Sequence, residues 1–155
     1  MAVFDIDGVL ADVGHRVHFL EQRIQDWRSF FAEAVHDPPL VEGVALAQEA
    51  AKECELLYLT GRPERCREDT LQWLKDNDLP PGDLHMRPDR DHRPARRLKP
   101  KVLREVAVGR TVAIVVDDDL EVCDAYEASG WTVLRADWAS RSPALQKAQE
   151  EEGRT

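Results

Sequence analysis

Long apolar runs are missing from this chain. No stretch approaches the roughly 20 residues that a membrane-crossing helix requires, so no membrane association is expected. Cysteine is scarce: Cys54, Cys66 and Cys123 are far apart, odd in number and without CxxC spacing. That argues against a disulfide framework and for reduced thiols serving as small core or helix residues. The five histidines, His15, His18, His36, His85 and His92, form no HExxH or Cys/His zinc pattern. No GxxxxGK[ST] occurs, so the nucleotide-binding loop of a P-loop kinase is not present. The first residues lack the basic-then-apolar layout of a secretory signal, because Asp5 and Asp7 interrupt it at once. A cytoplasmic location is the resulting expectation. Positive charge is also in deficit, with a formal net charge of −9, which disfavours a general nucleic-acid coat protein.

What is present suits one soluble domain. A chain of 155 residues with 43% hydrophobic and 33% charged residues can bury a full core. There are no repeats, no low-complexity tracts and no internal linker. Charge is uneven, however. Arg87, Arg90, Arg93, Arg96, Arg97, Lys99, Lys101 and Arg104 form a basic island opposed only by Asp89 and Asp91. Such an island is either a solvated face or an anion-binding surface.

The chain opens with Val3-Phe4-Asp5-Ile6-Asp7-Gly8-Val9, a short apolar strand ending in two carboxylates. On an extended backbone residues i and i+2 point the same way, so Asp5 and Asp7 both lean past the strand end, and Gly8 lets the chain turn. Two like charges that close need a cation or a shared proton, and Mg²⁺ suits hard oxygen ligands. Further along, apolar positions from Val17 to Ala34 at steps of three and four predict an amphipathic helix or two short ones, broken at Asp37-Pro38-Pro39. A helix is predicted over Val44 to Glu53, then a buried strand Leu56-Leu57-Tyr58-Leu59 that delivers Thr60-Gly61-Arg62. Pro63 suits the start of the next helix. Leu84-His85-Met86 reads as a short strand, and a helix is expected from near Pro100 to Val108. Val112 to Val116 is the strongest strand signal and ends in Asp117-Asp118-Asp119. A helix over Leu120 to Ser129 closes at Gly130, and Trp131 to Leu134 is a last strand. From Ser140 the polar sequence reads as a frayed helix or tail.

Strands alternating with helices predict an α/β fold, a three-layer Rossmann-like parallel sheet covered on both faces. Ligands bind such sheets beyond the carboxyl ends of the strands. Asp5, Asp7, Thr60, Asp117 and Asp118 all fall at that edge. Simpler roles are available to some of them. Thr60 can cap a helix, and so can the acids at 117–119.

This set, in this order, resembles the haloacid dehalogenase superfamily of phosphotransferases. The resemblance covers residues 3 to 119 through the Asp5-Ile6-Asp7 motif, Thr60, a lysine before the fourth strand, and the Asp117-Asp118 pair. Lys99, followed by Pro100 at the expected helix start, fits the lysine better than Lys101. The resemblance implies Asp5 as nucleophile forming an aspartyl-phosphate, and Asp7 as general acid and base. It implies Thr60 and Lys99 as holders of the phosphoryl oxygens. Mg²⁺ would be held by Asp5, the Asp7 main-chain carbonyl, and Asp117 or Asp118.

A closer resemblance is to the 3′-phosphatase domain of phage-type polynucleotide kinases. Arg16 lies eleven residues after Asp5, and Gly61-Arg62 follows Thr60, where that family binds substrate phosphate. Gln25-Asp26-Trp27 is similar to its Asp-Trp segment, and Asp91-His92-Arg93 precedes Lys99 at a similar distance. One departure is Ala95, where that family often carries an acid four residues before the lysine. The implied partner is a phosphomonoester, with a phosphorylated nucleic-acid end as one candidate and a nucleotide or sugar phosphate as the other. No stable protein partner is evident. The expected organisation is a phosphatase domain over 1–139, a small helical cap insert near 13–38, and a polar tail over 140–155. A cap that small predicts an open site. The non-enzymatic alternatives are a receiver-like signalling module, in which the acidic pair would come first rather than late, and a catalytically silent binding module.

Overall fold

The computed structural model describes residues 1–140 and 142–153. At its centre is β1 (Ala2–Phe4), completely buried, which pairs in parallel with β2 (Leu56–Pro63) on one side and β4 (Ile114–Asp117) on the other. Beyond them lie β3 (Gly82–Arg87) and β5 (Val133–Arg135), giving a five-stranded parallel sheet in the order β3-β2-β1-β4-β5. The α/β expectation is therefore met.

Side-chain alternation assigns the two faces. Ala2, Phe4, Leu56, Tyr58 and Val116 share one apolar cluster with Ala47 of α2 (Val41–Ala50) and Trp73 and Leu74 of α3 (Arg67–Asp76). Val3, Leu57, Leu59 and Val115 face the other way. They pack on Ala95 and Leu103 of α4 (Ala95–Val106) and on Val122 and Tyr126 of α5 (Leu120–Ala128). The period of two along each strand thus builds two cores from one sheet.

Several boundaries differ from the sequence expectation, each for a local reason. β2 runs on through Thr60-Gly61-Arg62 to Pro63, which stays extended opposite Arg87. An irregularity between Leu59 and Pro63 lets the strand continue, and a proline is tolerated at such a place. A 3-10 turn at Glu64–Cys66 then precedes α3. Helix α4 begins at Ala95, directly after Pro94, so Pro100 lies inside it and forgoes one helical hydrogen bond. The stretch after Val13, expected as an amphipathic helix or two short ones, forms short pieces rather than one helix. It consists of a 3-10 turn at Gly14–Phe19, a coil, α1 (Trp27–Ala32) and a second 3-10 turn at Glu33–His36. Asp26 starts α1 by accepting from Ser29 N at 3.0 Å.

The polar C-terminal segment is not a loose end. Ser142 caps α6 (Pro143–Glu150), and Leu145 and Ala148 are buried. They join Val13, Val17, Leu20, Phe30, Phe31, Cys66 and Met86 in a third apolar cluster. Residues 141, 154 and 155, also within the expected tail, lie outside the described residues. Among the described residues no helix is long and apolar enough to cross a membrane.

Candidate active site

The edge where β1, β2 and β4 end gathers the predicted residues. The Asp5 N–H donates to Val116 O at 2.9 Å, so the nucleophile candidate hangs from the last rung of the ladder beside Asp117. Gly8 has φ +81°, a left-handed conformation that turns the chain away behind Asp7. Asp5, Asp7, Thr60, Arg62, Lys99 and Asp117 are each at most 3% exposed, and Arg16 is fully enclosed.

Two charge clusters share this space. In one, Lys99 Nζ lies 2.7 Å from Asp5 Oδ2 and 2.7 Å from Asp117 Oδ2. Oxygen atoms of Asp5, Asp117 and Asp118 all lie within 4.8 Å of one another. With all three ionised, three carboxylates against one ammonium would leave an excess of two negative charges. Burial first, and mutual repulsion second, push these acids up: Asp117 to about 7, Asp118 well above its ordinary value, and Asp5 upward despite Lys99. Burial disfavours the Lys99 ammonium, but Asp117 and Asp5 outweigh it and hold the proton firmly. Asp5 Oδ1 and Asp118 Oδ1 are buried with no hydrogen-bond partner among the described residues. An all-oxygen set with orphaned atoms, carrying two surplus charges when ionised, fits a hard divalent cation such as Mg²⁺.

The second cluster is balanced. Asp7 Oδ1 accepts from Arg62 Nη2 at 2.6 Å, Arg62 Nε at 2.8 Å and Arg16 Nη2 at 2.9 Å. Both arginines also reach Asp37, through Arg16 Nε at 2.7 Å and Arg62 Nη2 at 2.7 Å. The result is a closed ring of two acids and two bases. Burial alone would raise Asp7, yet Arg16 and Arg62 together hold it down at about 2. The Asp7 side chain therefore belongs to the arginines rather than to the carboxylate cluster.

Thr60 Oγ1 accepts from Arg62 N at 3.2 Å, and Gly61 O accepts from Arg87 Nε at 3.2 Å. Asp119, not Asp117 or Asp118, caps α5. Lys101 points away, 53% exposed beside Glu105. Pro100 does not start the helix, so it is not what distinguishes Lys99 from Lys101. The buried face of α4 is what delivers Lys99 to the site. The basic island disperses: Arg87 is buried against main-chain carbonyls, Arg93 pairs with Asp91, and Arg96 with Glu121 and Glu150.

No role for Asp37 is legible in the sequence, while His15, a surface or site-flanking residue by its sequence, lies against it. Asp37 sits between His36 and a proline pair, which reads only as a helix stop. The expected open site is instead enclosed, with Asp5, Thr60, Arg62 and Lys99 all buried. A cavity of about 80 Å³ lies against Gly8 and Asp118, with Leu145, Gln146 and Gln149 of α6 as a wall. That is well below the roughly 300–1,000 Å³ of pockets for larger organic ligands. The segment after Val13 and α6 together roof the site, because their apolar residues pack on each other.

The family model for the phosphatase domain of the polynucleotide kinase PNKP matches residues 1–139. The chain belongs to this family. It is accordingly a phosphomonoester hydrolase of the haloacid dehalogenase type. A chain in the structure of the Pnkp1/Rnl/Hen1 RNA repair complex is similar, with TM-score 0.74 and 20% identity over 90% of this chain and 43% of that one. This chain therefore spans less than half of that relative. A haloacid dehalogenase-like hydrolase from Streptococcus pneumoniae matches with TM-score 0.62 and 16% identity, over 94% and 88% of the two chains. A class C acid phosphatase from Bacillus anthracis, solved with tungstate bound, matches with TM-score 0.64 and 11% identity, over 95% and 76%. At these identities the structural likeness establishes the fold. Among curated proteins no match was found.

Proposed function

We propose that this domain hydrolyses phosphomonoesters with Mg²⁺ through an aspartyl-phosphate on Asp5, and that its substrates include phosphorylated nucleic-acid ends. The observation that carries the reading is the convergence of the Asp5, Asp117 and Asp118 carboxylates on one point opposed by a single lysine, next to two arginines able to receive a phosphate. Mg²⁺, held by Asp5, the Asp7 carbonyl and Asp118 or Asp117, would screen carboxylate from phosphate and polarise the phosphoryl oxygens.

The side chains support a two-step transfer. Asp5 Oδ1 has no partner among the described residues, while Lys99 holds Oδ2. Oδ1 attacks phosphorus in line, the Asp5–phosphorus bond forms, and the ester oxygen leaves. Arg16, Arg62, Thr60 and Lys99 hold the phosphoryl oxygens. A phosphate dianion takes over the arginine donors that Asp7 now occupies. Asp7, released from the contacts that keep it ionised, takes up a proton from solvent and gives that proton to the leaving oxygen as the ester bond breaks. In the second step Asp7 takes a proton from water, water attacks phosphorus, and Asp5 is restored with release of inorganic phosphate.

Family membership supports a nucleic-acid end as substrate, as does Arg90, exposed on the loop that leaves the carboxyl end of β3. The closed roof favours a second reading, a small nucleotide or sugar phosphate. Turnover of p-nitrophenyl phosphate with Mg²⁺, abolished by Asp5→Asn, tests the chemistry. A panel of 3′-, 5′- and 2′-phosphorylated oligonucleotides beside mononucleotides, sugar phosphates and phosphopeptides tests the substrate. Preference for small metabolites by orders of magnitude would remove the nucleic-acid reading.

A further inference from the structure

Asp37 is the one member of the arginine ring that has no part in the chemistry proposed above. It follows the 3-10 turn at Glu33–His36, and its side chain is fully buried. Its backbone is pinned: its N–H donates to Ala34 O at 3.3 Å, and its carbonyl accepts from Trp73 Nε1 at 2.8 Å. Its carboxylate takes Arg16 in a two-point fork, Nε on Oδ1 at 2.7 Å and Nη2 on Oδ2 at 2.8 Å. Arg62 Nη2 reaches Oδ2 at 2.7 Å, and His15 Nε2 lies 2.8 Å from Oδ1. Phe30 covers Arg16 at 4.2 Å and Trp73 lies 5.8 Å from Arg62.

We propose that Asp37 is a positioning residue for phosphate capture, holding Arg16 and Arg62 in place independently of Asp7. The inference rests on the phosphatase reading of the site. Asp7 cannot both anchor the arginines and move protons, because the donors on Asp7 Oδ1 are those a phosphoryl oxygen would take. Once Asp7 lets go, two adjacent guanidiniums would repel each other and recover rotamer freedom. A second, chemically idle carboxylate removes the repulsion and keeps both forks aimed, which preserves the pre-organised geometry that capture of a phosphoryl group needs.

The test is a cycle of Asp37→Asn with Arg16→Ala and Arg62→Ala, read by inhibition constant for orthovanadate and by KM and kcat on p-nitrophenyl phosphate. Asp37→Asn should weaken orthovanadate and raise KM by about tenfold or more, with a smaller effect on kcat. The same substitution in the doubly arginine-less background should add nothing. An unchanged inhibition constant, or a penalty that adds in full without the arginines, overturns the proposal. If Asp37→Asn does not fold, Asp37→Glu, which keeps the charge but displaces it by one methylene, carries the same expectation and the same refutation. A wild-type protein that neither hydrolyses the ester nor binds orthovanadate removes the reading of the site itself. A wild-type protein that does both, with the Asp37 variants indistinguishable from it, removes only the role of Asp37.

Discussion

Gly8 and Asp118 are packed so closely that a β-carbon on the glycine would stand 2.2 Å from Asp118 Oδ2. Gly8→Ala must therefore shift the acid as well as strain a backbone at φ +81°, the latter costing about 1–2 kcal/mol. The expected outcome is a lower melting temperature and loss of the rise in melting temperature on adding Mg²⁺. Calorimetry with and without Mg²⁺ checks this, and a full Mg²⁺ response in the variant would dissociate Asp118 from cation binding.

The carboxylate cluster predicts how stability depends on pH. Burial raises Asp117 from 3.8 to about 7, with Asp5 adding repulsion and Lys99 opposing both. A carboxyl raised on folding contributes stability that is fully present below its unfolded value and is lost as pH climbs through its folded value. The metal-free protein should thus melt progressively lower between pH 5 and pH 8. Mg²⁺ should raise the melting temperature more at pH 8 than at pH 5, as read by thermal melts across that range. An equal Mg²⁺ effect at both ends would count against the charge balance drawn here.

The two neighbouring lysines should separate cleanly. Lys99 is buried between Asp5 and Asp117, whereas Lys101 is a solvated side chain 3.7 Å from Glu105. Lys101→Ala should keep turnover and change stability by no more than about 0.5 kcal/mol. Lys99→Ala should reduce kcat by about 10² or more. Steady-state kinetics on p-nitrophenyl phosphate decides.

Most of the frame was legible because it depends on period and order. Val3-Phe4 and Val112 to Val116 announce buried strands, and the acids that follow them fall at one sheet edge in any parallel α/β fold. The remainder depends on contacts between distant residues. Asp37 looks like a turn residue until Arg16 and Arg62 meet on it. Leu145 and Ala148 are too few to give α6 an apolar stripe in a stretch dominated by Gln, Lys and Glu. The start of α4 is not legible because two prolines compete for it: Pro100 suits a first turn, but Pro94 holds the position before the helix.

Helix α6 offers a fourth prediction. Burial pushes Glu150 from 4.5 to about 8, with Asp119 and Glu121 nearby adding to it and Arg96 opposing. The stabilising contribution of its neutral form is complete below pH 4.5 and declines as pH rises through about 8. Amide protection of α6, corrected for the intrinsic rate, should fall across that interval while β1 and β4 stay protected. Glu150→Gln should flatten the dependence, and hydrogen exchange by mass spectrometry reads both.

Phe4 is in register with Tyr58 on one side and Val116 on the other. The separation of Asp5 from Asp117, and of both from the Thr60 strand, is therefore written in main-chain rungs at the middle of the sheet. Loops and the roof can lengthen, shorten or change composition without disturbing that spacing. The reactive carboxylates are thus anchored apart from the roof, whereas Arg16 and Asp37, which the roof segment carries, tie phosphate capture to it.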